Sequence, residues 1–185
     1  MNTAVTSRES ILKTCRELVS EKGLSALHMR AVAKGCGVAL GALYYYFPSK
    51  NDLLMAAIES VWEDIFRFQD MPDEEMTFSA YIEEIFRHIQ DGIKKYPNFF
   101  TIHSISVSVK NQSEAHDMMK HYLSGLKKRM MASIRVDKRI RQDAFSRRFS
   151  EMDFVEFVLS NLICLLVQKK QSCTLLLEVI NRTLY

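Results

Sequence analysis

The chain is poor in the residues that break secondary structure, with three prolines and six glycines in 185 residues, and outside residues 23–48 they are sparse. No strand-length alternation bounded by turn residues appears either, which argues against a sheet and for an all-α fold. Cysteine is scarce too. Cys15, Cys36, Cys164 and Cys173 form no CxxC pair and fall at apolar positions of helical patterns, so neither a disulfide framework nor a zinc site is expected. The five histidines are scattered, and His116 and His121 stand five apart, off the i, i+4 spacing that puts two ligands on one helical face. No paired carboxylates, nucleophile elbow or phosphate loop occurs, which weighs against an enzyme and against any cofactor. Gly35-x-Gly37-x-x-x-Gly41 has the wrong spacing for a dinucleotide loop and follows a helical pattern instead of a strand. No run approaches the ~20 uninterrupted apolar residues of a membrane span. The most apolar segment, Phe154 to Val167, is broken by Glu156, Ser160 and Asn161. Met1 to Arg8 is polar with no apolar region after it, so a cytoplasmic location is expected, and the glycosylation triplets at Asn111 and Asn181 are discarded.

What the chain does have is apolar residues at helical spacing, 48% of the total, enough for a substantial core. A first helix opens at Thr6-x-x-Glu9, read as a capping box, and carries Ile11, Leu12, Cys15, Leu18 and Val19 on one face until Gly23 stops it. Two short helices fit around residues 35–38. A fourth begins at Ser49, with Asp52 three residues on. Further helices are expected between Pro72 and Pro97, from Pro97 to about Val109, from about Glu114 to Ile134, and over 151–169 and 171–184, with a polar loop or short helix at 137–150.

Charge is uneven. Residues 1–50 hold seven cations against three anions, so this part is +4 while the whole chain is only +3. A basic head on a near-neutral body suits a polyanionic partner. Within that head, Ala33-x-x-x-Gly37-x-x-x-x-x-Leu43 supplies what a helix-turn-helix requires: a small residue where two helices touch, a turn glycine, and an apolar anchor on the second helix. The run from Met29 to Leu54, above all Gly37-Val38, Leu43-Tyr44-Tyr45 and Phe47-Pro-Ser-Lys50 before an apolar helix, resembles the DNA-binding signature of TetR-type repressors. The resemblance covers about residues 7–60. Beyond them the chain matches that family only in helix count and length.

The resemblance implies a DNA-binding domain over 1–48, a regulatory and dimerisation domain over 49–185, and double-stranded operator DNA as partner. It places Tyr44 and Lys50 on phosphates and Arg30, Leu40, Gly41, Ala42 and Tyr45 near bases, with Ala39 opening the recognition helix. The residue types fit. Arg30 can fork onto a guanine edge, and the tyrosines offer hydroxyls to phosphates and ring faces to sugars or thymine methyls. Lys50 falls in the first turn of the fourth helix, where free N–H groups already favour a phosphate. Two positions depart from the family pattern, Ala39 standing for a usual Ser or Thr and His28 for a Thr cap; both lose a hydroxyl acceptor. Leu40 is apolar where a polar base reader is frequent.

In the body, Trp62, Phe66, Phe78, Tyr81, Ile85, Phe99, Phe100, His103, Met118, Met119 and Tyr122 come from the helices that form a ligand cavity in the resembled family, which implies a small apolar or aromatic effector. An aromatic and methionine stripe is equally what any helical core looks like. Phe154, Val155, Val158, Leu162, Leu165, Leu166, Leu175, Leu176 and Val179 are expected to pair the terminal helices in a homodimer, which would space two recognition helices about one DNA turn (~34 Å) apart. Lys127 to Arg148 holds nine cations against Asp137 and Asp143, read as a solvated face or a second anion-binding surface. Two other readings stay open: a helical small-molecule binder or enzyme with a vestigial head, and a low-specificity architectural DNA-binding protein.

Overall fold

The computed structural model describes residues 6–66, 75–97, 99 and 112–185, with only the backbone described for 112–116, 118 and 119. Eight α-helices make up the described residues: α1 (Arg8–Lys22), α2 (Met29–Cys36), α3 (Leu40–Tyr46), α4 (Lys50–Ile65), α5 (Phe78–Lys95), α6 (Gln112–Val136), α7 (Glu151–Val167) and α8 (Thr174–Leu184), with one 3₁₀ turn at Leu24–Ala26. None of them is long and apolar enough to cross a membrane. Of the helix expected from Pro97 to about Val109, Pro97 and Phe99 are among the described residues, Phe99 in helical conformation, and the rest lies outside them. The chain divides into two compact units, Met1–Arg67 with Asp91–Ala115, and Phe68–Gln90 with His116–Tyr185.

The first unit is built around α1. Its N-cap is Ser7, whose hydroxyl accepts from Ser10 N at 3.1 Å, so the expected box on Thr6 is displaced by one residue. Two adjacent hydroxyls carry the same signal, and the structure uses the second. Ile11, Leu12, Cys15 and Val19 form the buried stripe of α1, and the elements packed against α1 bury Leu24, Val32 and Leu53. Each such side chain stabilises the unit by about 1.5–3 kcal/mol. At Gly23 the chain turns with φ +76°, and its N–H caps Val19 O at 2.9 Å. Arg16 then fastens α1 to α4, donating to Ser60 Oγ while its other nitrogen reaches Glu9 Oε1 at 3.1 Å.

In the same unit, residues 91–96 are held on the far ends of α1 and α4. Lys95 Nζ and Tyr96 Oη both donate to Asp64 Oδ2, at 2.6 and 2.7 Å, and Ser20 Oγ donates to Lys95 O at 2.7 Å. Burial pushes the Asp64 carboxyl up, but the bonds from Lys95 and Tyr96 outweigh it and hold it below its ordinary value.

The second unit is anchored on Asp137, just past α6. Its carboxylate, with no exposed surface, accepts from Phe78 N at 2.9 Å, Arg139 N at 3.1 Å, Arg139 Nε at 2.8 Å, and the Tyr185 hydroxyl. Tyr185 Oη in turn accepts from Phe78 N at 3.0 Å. The first amide of α5, which has no partner within its own helix, is thereby capped by two residues distant in sequence. The expected polar loop at 137–150 is a set of turns with one bridge, Ser146 to Phe149, and it delivers the chain to a full capping box, Ser150 with Asp153, at the start of α7. That helix stops at Val167 and the last runs Thr174–Leu184, both shorter than the expected 151–169 and 171–184. Lys169, with φ +54°, breaks the first, and Ser172 Oγ accepts from Thr174 N at the start of the second.

Candidate nucleic-acid interface

Helix α2 leads into α3 through Gly37, whose φ of +67° is the left-handed conformation that costs glycine nothing. Its N–H and that of Val38 return to carbonyls at Lys34 and Ala33, closing the end of α2. Ala33 is buried, as its place in the motif demands. Close helix approach also involves Gly35, where an added Cβ would come within 2.7 Å of Thr14 Cγ2 on α1.

Helix α3 has seven residues, and Leu43 is the one it buries. A helix of two turns is unstable alone, so docking through Leu43 and the following Phe47 is what holds it. With Leu43 at 0% exposure, its neighbours must point away: Tyr44 is 46% and Tyr45 84% exposed. Tyr46 turns back and donates to Thr6 O at 2.6 Å, tying down the segment before α1. Gly41 and Ala42 are exposed, Leu40 is half-buried, and an added Cβ at Gly41 meets nothing within 4 Å.

Ala39 leaves α3 with no side-chain cap, as its lack of a hydroxyl implies. His28 behaves differently from expectation. Its imidazole Nδ1 accepts from Ala31 N at 3.2 Å and replaces the missing hydroxyl as the N-cap of α2. This cap was missed because histidine is not among the strong N-cap residues. Arg30, in the first turn of α2, and Lys50, the first residue of α4 after the Ser49 cap, are exposed, and neither is in an ion pair among the described residues. All eight predicted DNA-contact residues thus keep accessible surface on α2, α3 or the start of α4.

The other predicted residues fall in different settings. Trp62 stacks on Phe66 at 5.3 Å and meets Phe99 edge-on at 5.5 Å, all in the first unit. Phe78, Tyr81 and Ile85 are buried and Tyr122 half-buried in the second. Phe100, His103 and the side chains of Met118 and Met119 lie outside the described residues. A groove of about 470 Å³ in the second unit is lined by Met131, Arg135, Phe145, Ser146, Ser150, Glu151 and Met152, none of them a predicted pocket residue.

Of the expected interface residues, Phe154, Val155, Val158, Leu162 and Leu176 are buried within the unit itself. A side chain with no surface left in one protomer brings no area to an interface, so these five are core. Leu175 and Val179 stay exposed, Leu165 and Leu166 are half-buried, and Phe157, Cys164 and Val167 add to the open face. Within the basic run, Lys127 pairs with Glu156, Arg135 with Glu151, Arg139 with Asp137 and Arg141 with Asp143. At least four of its nine cations are therefore matched by a nearby carboxylate.

The geometry defines a class: an all-α chain with a helix-turn-helix whose short second helix exposes Tyr44 and Tyr45, with Arg30 and Lys50 exposed and in no ion pair among the described residues. Residues 11–57 match the model for bacterial regulatory proteins of the tetR family. Over 58 residues the chain is 47% identical to the transcriptional repressor KstR of Rhodococcus jostii (strain RHA1), covering 31% of this chain and 27% of that one. Over 79 residues it is 37% identical to the transcriptional regulator UidR of Escherichia coli (strain K12), covering 42% and 40%. The matched stretch is thus well under half the length of these curated relatives, which are named for regulation and not for catalysis. The fold also resembles the multidrug binding protein EbrR complexed with proflavin (TM-score 0.62, 17% identity, 96% of this chain and 99% of that) and reduced E. coli NemR (TM-score 0.66, 15% identity, 96% and 97%). The sequence of its head is similar to the DNA-binding region of the TetR family, and the chain shares the fold of these structures over nearly its whole length.

Proposed function

We propose that the protein is a transcriptional repressor that binds operator DNA as a homodimer and releases it on binding a small apolar or aromatic molecule. The observation that carries the DNA-binding part is the contrast on α3, Leu43 fully buried and Tyr44 and Tyr45 outward, with Arg30 and Lys50 exposed and in no ion pair among the described residues. Tyr44 and Lys50 take phosphates; Arg30, Leu40, Gly41, Ala42 and Tyr45 face base edges, with Ala39 at the entry of the helix. Residues 1–48 act as the DNA-binding domain and 49–185 as the regulatory one. Dimerisation runs through the face that keeps Phe157, Leu165, Leu166, Leu175 and Val179 available, since a palindromic operator is read by two heads in fixed spacing. The names of KstR and of EbrR with proflavin support repression and small-molecule response. The response requires the effector to bind the non-DNA-binding conformation more tightly than the other.

The test is retardation of the DNA upstream of the protein's own gene against random competitor, over a salt series, with Tyr44→Ala and Lys50→Ala alongside. Retardation that survives competitor and is lost in both variants is expected. Only few-fold preference over random DNA, unchanged in the variants, would instead mark a low-specificity binder or a head without function, since a regulator discriminates by ~10³ or more.

A further inference from the structure

Around the groove of the second unit the charges can be matched one by one. Residues 127–156 contain five carboxylates, and each is already engaged. Asp137 holds Arg139, Tyr185 and the Phe78 amide, and Asp143 meets Arg141 at 3.4 Å. Glu151 meets Arg135 at 3.6 Å, Asp153 closes the capping box with Ser150, and Glu156 meets Lys127. Arg147 and Arg148 are exposed and enter no ion pair among the described residues. No carboxylate of this stretch is left to meet them.

The backbone that carries these two arginines is fixed. Ser146 N donates to Phe149 O at 2.9 Å and Phe149 N to Ser146 O at 3.2 Å, which closes a two-residue hairpin with Arg147 and Arg148 at its tip. At its base Phe149 stacks on Phe145 at 6.1 Å and meets the buried Phe154 edge-on at 5.7 Å. Phe145, Ser146 and Ser150 line the groove of about 470 Å³, so the tip falls between lining residues and stands at its edge. Met131 of α6 and Met152 of α7 complete the apolar lining. Met152 is 44% exposed, and Phe149 beside the groove is 36% exposed. A turn already held in one conformation has little freedom left to lose when a partner docks on it.

Charge alone suits a membrane, a nucleic acid or an acidic protein. An anionic membrane takes apolar side chains that stand out from a surface, and duplex DNA takes the cations alone; neither fills a concave lining of Met131, Phe145 and Met152. A small molecule is normally enclosed over most of its surface, whereas here the apolar surface continues outside the groove onto Phe149. Arginine, methionine and phenylalanine are the side chains that protein interfaces concentrate, and arginine clusters are a recurring reader of acidic motifs. We propose that this groove docks a short acidic segment of another protein. Its apolar side chains enter between Met131, Phe145 and Met152, and its carboxylates pair with Arg147 and Arg148. The surface lies within the second unit, and the proposal is independent of the DNA-binding and effector readings above.

The test is fluorescence anisotropy of the full-length protein with a panel of fluorescein-labelled twelve-residue peptides, in which Leu and Phe at varied spacings are set among Asp and Glu. One control set replaces the acids by Lys, and a second replaces Leu and Phe by Ser. The acidic apolar set is expected to contain binders with Kd of about micromolar order, weakened by salt, and both control sets to bind at least about tenfold less tightly. Arg147→Glu with Arg148→Glu turns attraction into repulsion and is expected to lose at least about tenfold, and Met152→Ser several-fold. These side chains are exposed, so both variants are expected to melt with the parent. A panel without a binder, or a lysine set that binds as well, would overturn the proposal. So would affinity unchanged in both variants, which would put the peptide on another basic surface such as residues 1–50. Binding of random duplex DNA, or of vesicles of equal phosphatidylglycerol and phosphatidylcholine, through Arg147 and Arg148 while no peptide binds would replace it with one of the alternatives.

Discussion

Removing the Asp137 carboxylate is the substitution for which the structure gives the firmest magnitude. The group has no exposed side-chain surface and accepts from Phe78 N, Arg139 and Tyr185. Asp137→Ala would strand the Tyr185 hydroxyl and weaken the cap of α5, though Phe78 N keeps Tyr185 Oη and the partly exposed Arg139 returns to water. Loss of one partner from a buried charged network costs about 3–5 kcal/mol, and the re-solvation of Arg139 places the expected value at about 3. For a chain of this size each kcal/mol moves Tm by about 2–4 °C, so a fall of about 6–12 °C is expected. The pH dependence has a definite sign. Burial raises the Asp137 pKa, but bonds from Tyr185, Arg139 and the Phe78 amide outweigh it, and the folded value lies below the ordinary one. Its contribution is therefore complete above the unfolded pKa of about 3.9 and is lost as pH falls through the lower folded value. Tyr185 limits the other side: burial first, then Asp137, pushes it up to about 12, so its contribution is complete below the unfolded pKa of about 10 and is lost as pH rises toward 12. Calorimetric melts of parent, Asp137→Ala and Asp137→Asn at one protein concentration, from pH 3 to 11, would measure this. A fall under 2 °C for Asp137→Ala at pH 7, or a parent-to-Asn difference that does not shrink below pH 4, would refute the reasoning.

Replacing His28 by alanine removes the α2 cap and is expected to cost about 1 kcal/mol, largely restored by His28→Thr; a threonine variant no more stable than the alanine one in thermal melts would show that the imidazole is not acting as a cap. Gly41→Ala meets open space inside a helix, so it should stabilise the head by up to about 1 kcal/mol. If Gly41 approaches DNA as proposed, the same variant retards operator DNA several-fold less well, and undiminished retardation would remove it from the interface. Leu175→Glu alters a side chain 78% exposed in the protomer and should leave helicity intact while light scattering reports a monomer; an unchanged mass would move the dimer face elsewhere.

The head was legible because its geometry is local. Ala33, Gly37 and Leu43 serve a buried contact, a left-handed turn and an anchor, and each requirement restricts the residue at that position. The terminal helices were not legible to the same degree. Helix α7 is apolar nearly all round, so periodicity cannot say which face meets its own unit and which meets a partner, and Phe154, Val155, Val158 and Leu162 were assigned outward although they point inward. Asp137 hid for a different reason. It sits in a strongly basic polar stretch and reads as one more solvated charge, and its burial is imposed by Tyr185, 48 residues away.

The polar fastenings of the first unit constrain how any signal reaches α3. Helix α3 has one buried residue and no side-chain cap at its start, so it has little stability to vary on its own account. Its position is inherited from α1, α2 and α4. Arg16 binds α1 to the middle of α4 through Ser60, and Asp64 near the end of α4 holds Lys95 and Tyr96, whose backbone is taken in turn by Ser20 of α1. These ties close a loop of contacts around the base of the head. Displacing α4 alone would break at least one part-buried polar bond and leave a group unsatisfied, at about 1–3 kcal/mol, which is the size of a typical coupling energy between sites. Motion of α1, α4 and residues 91–96 as one body breaks none. If an effector acts as proposed, it changes DNA affinity by moving α1, α4 and residues 91–96 together with α3 carried intact, and local melting of α3 is the costlier route.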